Sequence, residues 1–152
     1  MAIAANNKVI QKTVEDLFNS LEIDGSFDIE DSAEGADIVV DTKDSGMIIG
    51  YHGDTLDSLQ LLISLMVAKK LGEFKRITLE VGDYKKNRGD WLKTLAAETK
   101  EKVLSENREV FLPNLKSWER RIVHLELQED DEVISESTGE GRERVLVVRP
   151  KN

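Results

Sequence analysis

The first eighty residues or so switch between a helical and a strand-like spacing of apolar positions. The three-and-four spacing predicts an amphipathic helix over residues 9–21, and alternating runs predict strands over residues 26–31 and 36–42. A long helix from about residue 54 is followed by a third alternating run, residues 75–81. This mixture predicts an α+β module in which helices cover a three-stranded sheet.

The remaining residues repeat the mixture on a smaller scale. Apolar positions from Asp90 onward predict a helix of about four turns. A short extended piece over residues 109–112 ends at Pro113, which is predicted to open the next helix. Two extended runs on either side of a T-G-E-G turn then predict a β-hairpin. The change of pattern near residues 82–89 predicts a boundary between two modules without a flexible linker.

A G-x-x-G loop lies between a short apolar segment and the long helix of the first module. Its residues are Gly50, Tyr51, His52 and Gly53. The glycines allow a sharp turn and a close approach of the backbone to a ligand. The next helix, with Asp54 or Thr55 as its predicted N-cap, would direct its amide end at the same place, which suits a phosphate. On spacing alone, the alternative is an ordinary turn.

A second candidate site lies on the helix that contains S-W-E-R-R-I-V-H, residues 117–124. The apolar stripe predicted for this helix comprises Leu115, Trp118, Ile122 and Leu125. Arg120 and His124 are four positions apart, so they share one face, which is predicted to be the solvent face opposite the stripe. The guanidinium fork suits phosphate, and the imidazole can donate a hydrogen bond or stack. An exposed pair without a function is the alternative.

The order of elements resembles two known nucleic-acid-binding modules. Helix, strand, strand, short helix, G-x-x-G, helix, strand resembles a type II KH domain over residues 1–83. The helix with Arg-x-x-x-His, followed by a hairpin that ends in V-V-x-P, resembles an R-3-H domain over residues 84–152. A KH domain followed by an R-3-H domain is similar to the bacterial Jag/KhpB family of RNA-binding proteins. Many members carry a further N-terminal domain, and we expect no counterpart of it in this chain.

The resemblance implies a function and the residues that perform it. The implied function is non-enzymatic binding of single-stranded RNA, with single-stranded DNA as the alternative ligand, by a post-transcriptional regulator or RNA chaperone linked to cell elongation and cell shape. The RNA-binding residues that it implies are Gly50, Tyr51, His52, Gly53, Arg120 and His124, with Arg121 as a neighbouring helper. It also implies association with a small KH-only partner protein. Because Tyr51 and His52 depart from the basic pair often found in KH loops, a protein-interaction scaffold with a degenerate loop is the alternative function.

The distribution of charge along the chain indicates which segment could bind a polyanion. The net charge of −9 by itself argues against nucleic acid. Residues 69–121, however, contain fourteen Lys and Arg against nine Asp and Glu, and they lie between the two candidate motifs. Within this segment Lys85, Lys86 and Arg88 are predicted to contact the phosphate backbone. A solvated basic face is the alternative.

The composition favours a cytoplasmic protein without a cofactor. The chain has no cysteine, which excludes disulfides and thiolate metal sites. The first residues lack the apolar core of a signal peptide, and the longest nearly apolar stretch is too short to span a bilayer, so no membrane insertion is expected. The sequence has no Walker loop, catalytic triad or ligand cluster, so no enzymatic activity, metal or small-molecule substrate is expected.

Several large apolar side chains are predicted to fill the core or an interface rather than to contact a ligand. They are Phe18, Met47, Met66, Trp91 and Trp118. For the two tryptophans the alternative is stacking on a nucleobase.

Overall fold

The computed structural model describes residues 2–31 and 34–152, apart from the side chains of residues 2 and 3. The chain forms two compact units, which divide between Lys85 and Lys86. Each unit has a three-stranded sheet and an apolar core of its own, so the predicted α+β class is confirmed. Among the described residues, no helix combines the length and the apolar character that crossing a membrane requires.

The first unit begins with a helix and a pair of antiparallel strands. Helix α1 spans Ala2–Ser20, and strands β1 (Gly25–Asp31) and β2 (Gly35–Thr42) follow it. In their register Ile29 lies opposite Ile38. The two strands begin within one residue of the starts predicted from the alternating apolar positions.

The second half of this unit returns the chain to the sheet. A short helix, α2 (Ser45–Ile49), and a 3₁₀ turn (Tyr51–Gly53) lead into α3 (Asp54–Leu71). Strand β3 (Arg76–Val81) then pairs with β2 in parallel. The strand order β1-β2-β3 leaves β3 at an edge of the sheet.

Periodic apolar positions bury one face of each element in the first unit. Ile10 and Val14, one turn apart on α1, are fully buried, and so are Ile38 and Leu79, which are partners across β2 and β3. The opposite face of the sheet is acidic, because the intervening strand positions hold carboxylates. These carboxylates are Asp28, Glu30, Asp37, Asp41 and Glu80. A polyanion is therefore repelled from this face.

The second unit contains two helices and a second sheet. Helix α4 (Tyr84–Glu106) begins two residues before the division between the units, and β4 (Val110–Leu112) follows it. Helix α5 spans Ser117–Leu127 and is followed by β5, Val133–Thr138.

The predicted β-hairpin is confirmed. After a 3₁₀ turn (Gly141–Glu143), β6 (Val145–Pro150) pairs in antiparallel fashion with β5 on one side and β4 on the other. The buried core of this unit comprises Leu92, Ala96, Val103, Leu115, Val123, Leu127, Val133, Leu146 and Val148.

Three helix starts differ from the predicted ones. Helix α1 begins at Ala2 rather than at residue 9. Helix α4 begins at Tyr84 rather than at Asp90. The prediction missed this start because the first turn of the helix is polar and shows no apolar periodicity. Helix α5 begins at Ser117, with Lys116 as its N-cap, so Pro113 does not open it. The residues between Pro113 and the helix instead bring Leu115 into the core.

Three predicted core residues are exposed. The side chains of Met47, Trp91 and Leu125 are each about half exposed or more, whereas Phe18 is buried as predicted. Met66 and Trp118 are partly buried against the cores of their units. The buried residues of α5 are Glu119, Val123 and Leu127, so Leu125 is turned away from the core.

Candidate nucleic-acid interface

The first position of the G-x-x-G loop has a backbone conformation that only glycine adopts readily. Gly50 has φ 69° and ψ −168°, and a Cβ there would overlap Oγ1 of Thr55. Gly53 is left-handed at φ 78° and occupies the N-cap position of α3, without a side-chain cap hydrogen bond. The predicted N-cap at Asp54 or Thr55 is therefore wrong, because Asp54 is already the first helical residue.

Between these glycines the loop presents two stacked rings. The ring of Tyr51 lies 4.0 Å from that of His52, at an interplanar angle of 18°. Tyr51 is 73% exposed, and His52 has a positive φ of 51°. Asp54 and Asp57 lie in the first turn of α3, where they offset the positive end of the helix. The N–H groups of Gly50 and Gly53 already donate to the carbonyls of Gly46 and Gly50. The loop can therefore offer ring surface to a ligand, but little positive charge.

A cleft of about 400 Å³ lies in the same unit, between α3 and the edge strand β3. It is lined by Asp57, Gln60, Leu61, Ser64, Phe74, Arg76, Ile77, Thr78 and Lys85. Lys85, a predicted phosphate contact, is thus placed in the cleft together with a second cation, Arg76. Phe74 is 80% exposed. The cleft therefore combines cations with an exposed ring.

Gln60 ties α3 to the edge of the sheet. Its Oε1 accepts a hydrogen bond of 2.9 Å from the backbone N–H of Leu79. Because no described strand pairs with the outer side of β3, this N–H would otherwise need water as its partner. The contact holds one wall of the cleft against the other.

A second cavity, of about 460 Å³, lies in the second unit. Its lining residues are Ser117, Arg120, Arg121, His124, Leu125, Ser137 and Arg144. Helix α5 supplies five of them, β5 supplies Ser137, and Arg144 stands just before β6. Three guanidinium groups and one imidazole thus share a cavity that has no carboxylate among its described lining residues.

Arg120 and His124 are both held by neighbouring groups. Nη1 of Arg120 donates to the carbonyl of Leu115, and Nη2 donates to Oγ of Ser117 at 3.2 Å. Nδ1 of His124 is hydrogen-bonded to Oγ of Ser135 at 2.7 Å, and Ser135 is buried on β5. The cavity is therefore partly preorganised, which lowers the entropy lost on binding. Arg121 is exposed beside them.

Arg88 lies elsewhere in the second unit and has a structural partner. Its Nε donates to Oε1 of Glu119 at 2.7 Å, and its side chain is only 13% exposed. Glu119 is fully buried, and its Oε2 accepts the backbone N–H of Lys116 at 2.9 Å, which closes the first turn of α5. Lys86 is exposed on the first turn of α4. Of the two, Lys86 is the residue that presents its charge to solvent.

Sequence reasoning missed the contribution of the hairpin. Arg144 and Ser137 line the cavity, and Ser135 fixes His124, yet none of them belongs to the Arg-x-x-x-His motif. The period-two pattern puts Ser135 and Ser137 on one face of β5, which is the signal that could have found them. The position of Arg144 in the cavity depends on the register of the hairpin, in which Thr138 pairs with Val145.

Comparisons with known proteins agree with this two-part organisation. The family model of the KhpA/KhpB KH domain matches residues 7–81, and that of the R-3-H domain matches residues 90–150. The cleft and the loop lie within the first match, apart from Lys85, and the arginine-lined cavity lies within the second.

Similar proteins are found in several bacteria. The RNA-binding protein KhpB of Clostridium symbiosum is 34% identical over 140 residues, which is 91% of this chain and 63% of that protein. That of Lactiplantibacillus plantarum is 30% identical over 148 residues, 95% of this chain and 46% of the relative. That of Bacillus subtilis is 30% identical over 109 residues, 70% and 52%. The chain therefore spans between 46% and 63% of the length of these curated relatives.

Proposed function

The chain belongs to the family in which a KH domain of the KhpA/KhpB type precedes an R-3-H domain, and from that premise we propose that it is a non-enzymatic binder of single-stranded RNA. The observation that carries the proposal is the cavity of the second unit, with three guanidinium groups, one imidazole and no carboxylate among its described lining residues. The phosphates of a single-stranded backbone are the ligands that such a set of donors prefers.

Within this cavity the side chains have different tasks. Arg120, anchored by Leu115 and Ser117, offers its remaining N–H groups in a fixed direction. Arg121 and Arg144 are exposed and contact the backbone as mobile cations. His124, whose Nδ1 is engaged by Ser135, uses its other ring nitrogen or its face toward the ligand.

The first unit provides a second, weaker contact. The loop over residues 50–53 clamps the nucleotide backbone, as KH loops do, and Tyr51 offers an exposed ring for stacking. Lys85, in the cleft of this unit, neutralises a phosphate, and Lys86 of the second unit does the same. Arg88 is left out of this proposal, because Glu119 already holds its guanidinium group. We assign residues 1–83 to the KH module and residues 84–152 to the R-3-H module.

This proposal extends to a biological role. An RNA binder of this kind would act on transcripts in the cytoplasm as a post-transcriptional regulator or RNA chaperone linked to cell elongation. We also propose that it associates with a small KH-only protein. Affinity purification of the tagged chain, followed by mass spectrometry with and without ribonuclease, tests that partnership. A partner that remains after ribonuclease treatment supports a direct contact, and the absence of any KH-only protein contradicts it.

A protein-interaction scaffold is the second candidate function. It is favoured by the exposure of Leu61, Leu62 and Leu65 on α3, because a series of exposed leucines on one helix is typical of a protein-binding surface. A scaffold would still bind its partner protein after substitutions in the arginine-lined cavity.

Fluorescence anisotropy with labelled single-stranded RNA and DNA separates these functions. We expect RNA affinity to weaken with added salt, with Arg120→Ala and with His52→Asp, which puts a negative charge into the loop. The ratio of RNA to DNA affinity identifies the preferred ligand. An unchanged RNA affinity in the folded double variant would contradict the proposal, and so would the absence of binding at low salt.

A further inference from the structure

Trp91 is a large aromatic side chain that the described fold leaves half in solvent. The residue lies in the second turn of α4 and is 49% exposed. The guanidinium carbon of Arg88 lies 4.2 Å from the centroid of its ring. Since Arg88 covers one face of the indole, the exposed half of the side chain includes the opposite face.

The cation behind this ring is fixed in place. Arg88 is paired at 2.7 Å with Glu119, whose side chain has no exposed surface. If Arg88 moved away, a buried carboxylate would lose its cation, which is strongly unfavourable. Trp91 therefore stands against a rigid support, and little conformational freedom remains to be lost when a ligand covers its open face.

The surroundings of the indole match a nucleic acid better than an apolar protein surface. Lys86 and Lys93 are exposed on the same helix, but at five and two positions from Trp91 they lie on the side of the helix away from the indole. Nζ of Lys93 also lies 3.9 Å from a carboxylate oxygen of Glu126. The other exposed residues within about one turn of it are the polar Asn87, Asp90 and Thr94. An exposed aromatic face with polar neighbours suits stacking on a nucleobase better than packing against an apolar protein surface.

We propose that the open face of Trp91 stacks on a nucleobase of the bound single strand, with Arg88 as the positioning residue behind it. The proposal rests on the proposed RNA-binding function and adds a contact outside the arginine-lined cavity. Since every base has a π face, this contact adds affinity without selecting a sequence.

Tryptophan fluorescence tests the contact directly. The chain has two tryptophans, so Trp118→Phe leaves Trp91 as its sole indole. This variant is titrated with a short single-stranded RNA and with an abasic oligonucleotide of the same length. We expect the RNA to quench the indole emission, whereas the abasic strand binds through its phosphates and quenches little. If Trp118→Phe does not fold, the difference between wild type and Trp91→Phe gives the same signal.

Affinity measurements provide the second arm of the test. We expect Trp91→Ala to weaken RNA binding about fivefold or more, and Trp91→Phe to retain most of the affinity. Arg88→Lys keeps the charge but loses the planar stack, so it reduces the quenching. Phe111→Ala removes an aromatic ring on β4 that is exposed to a similar extent, 55%, and is expected to change nothing.

The outcomes separate the two hypotheses. RNA binding without quenching, together with an unchanged affinity in the folded Trp91→Ala variant, overturns the stacking contact alone. No anisotropy change with any RNA overturns the RNA-binding function itself, and the stacking contact with it. Equal quenching by the RNA and the abasic strand overturns the stacking contact, because it reports a change in the surroundings of Trp91 without a base against it.

Discussion

The imidazole of His124 on α5 and the hydroxyl of Ser135 on β5 are joined by a hydrogen bond of 2.7 Å between Nδ1 and Oγ. Ser135 is buried, whereas His124 is exposed and lines the cavity with Arg120. The strand thus sets the orientation of the ring, and Nε2 is the ring nitrogen left for a ligand. A histidine that the motif identifies is oriented by a serine outside the motif.

Ser135→Ala should weaken RNA binding through His124. Removing the hydroxyl releases the ring, and the loss of one hydrogen bond corresponds to a decrease in affinity of about two- to tenfold. In a His124→Ala background the same change should have no further effect, because the group that it positions is gone. Fluorescence anisotropy on the four proteins of this cycle measures the coupling.

A serine outside the cavity provides the control for that cycle. Ser105 is exposed on α4, where its hydroxyl donates to the carbonyl of Lys102. Ser105→Ala should leave RNA affinity unchanged. Additive effects of Ser135→Ala and His124→Ala would mean that the serine does not act through the imidazole.

Arg144→Ala should reduce the salt dependence of RNA binding. If Arg144 contacts one phosphate, its loss makes the slope of log affinity against log salt shallower by about 0.7, the value for one contact on a single strand. Arg142 is a matched control, since it is exposed on the preceding 3₁₀ turn but does not line the cavity. Equal slopes for the Arg142→Ala and Arg144→Ala variants would show that Arg144 is not part of the interface.

Gly50→Ala should destabilise the loop, whereas Gly46→Ala should not. Gly50 has a positive φ and no room for a Cβ beside Thr55, while a Cβ at Gly46 meets no described atom within 4 Å. We expect Gly50→Ala to lower the free energy of unfolding by about 1–3 kcal/mol, and Gly46→Ala to leave it equal or slightly higher. Urea denaturation of both variants measures this difference, and an equal stability of the two would contradict the strained loop.

The ion pair between Lys100 and Asp130 should make part of the stability depend on pH. The hydrogen bond from Lys100 lowers the pKa of Asp130, and backbone N–H groups of Glu132 and Val133 add to this effect. A carboxyl with a lowered pKa in the folded state stabilises it fully above the ordinary Asp value of about 4. This contribution is lost as the pH falls through the lower folded-state pKa.

The Asp130→Asn variant isolates this effect. It should be less stable than wild type at neutral pH, and the difference should shrink as the pH falls below about 4. Urea denaturation across this range measures the difference. The pKa of Lys100 is raised by the same pair, so the contribution also declines above the ordinary Lys value of about 10.4. If the difference in stability between the two proteins does not change with pH, Asp130 stabilises the fold through hydrogen bonds that do not depend on its charge.

The positions of the strands along the chain can be predicted, because the alternation of apolar and polar residues is a local property. On β2 the buried residues Ile38 and Val40 lie between the exposed residues Asp37 and Asp41, although Val39 interrupts the alternation of apolar and polar side chains. The faces of α5 are harder to assign, because a charged residue occupies the core. Glu119 is buried only because Arg88, thirty-one positions earlier, neutralises it, and no local pattern reveals that partner.

The candidate site is predictable in the same local sense. Arg120 and His124 share a helix and a spacing that is visible along the chain. Arg144 and Ser135 join them through the pairing of β5 with β6, which is a tertiary property. The apolar neighbours of Trp91 predict that it belongs to a buried stripe, but the buried stripe of α4 passes through Leu92 instead.

The hydrogen bond from Leu79 to Gln60 also affects what can assemble on the first unit. An edge strand can recruit an extended segment of another chain through its unpaired N–H and C=O groups, and this is a route to aggregation. At Leu79 a side chain from α3 already occupies the N–H that such a strand would need. The charges of Arg76 and Glu80 on the same strand further discourage growth of the sheet. The edge that borders the cleft thus resists self-association.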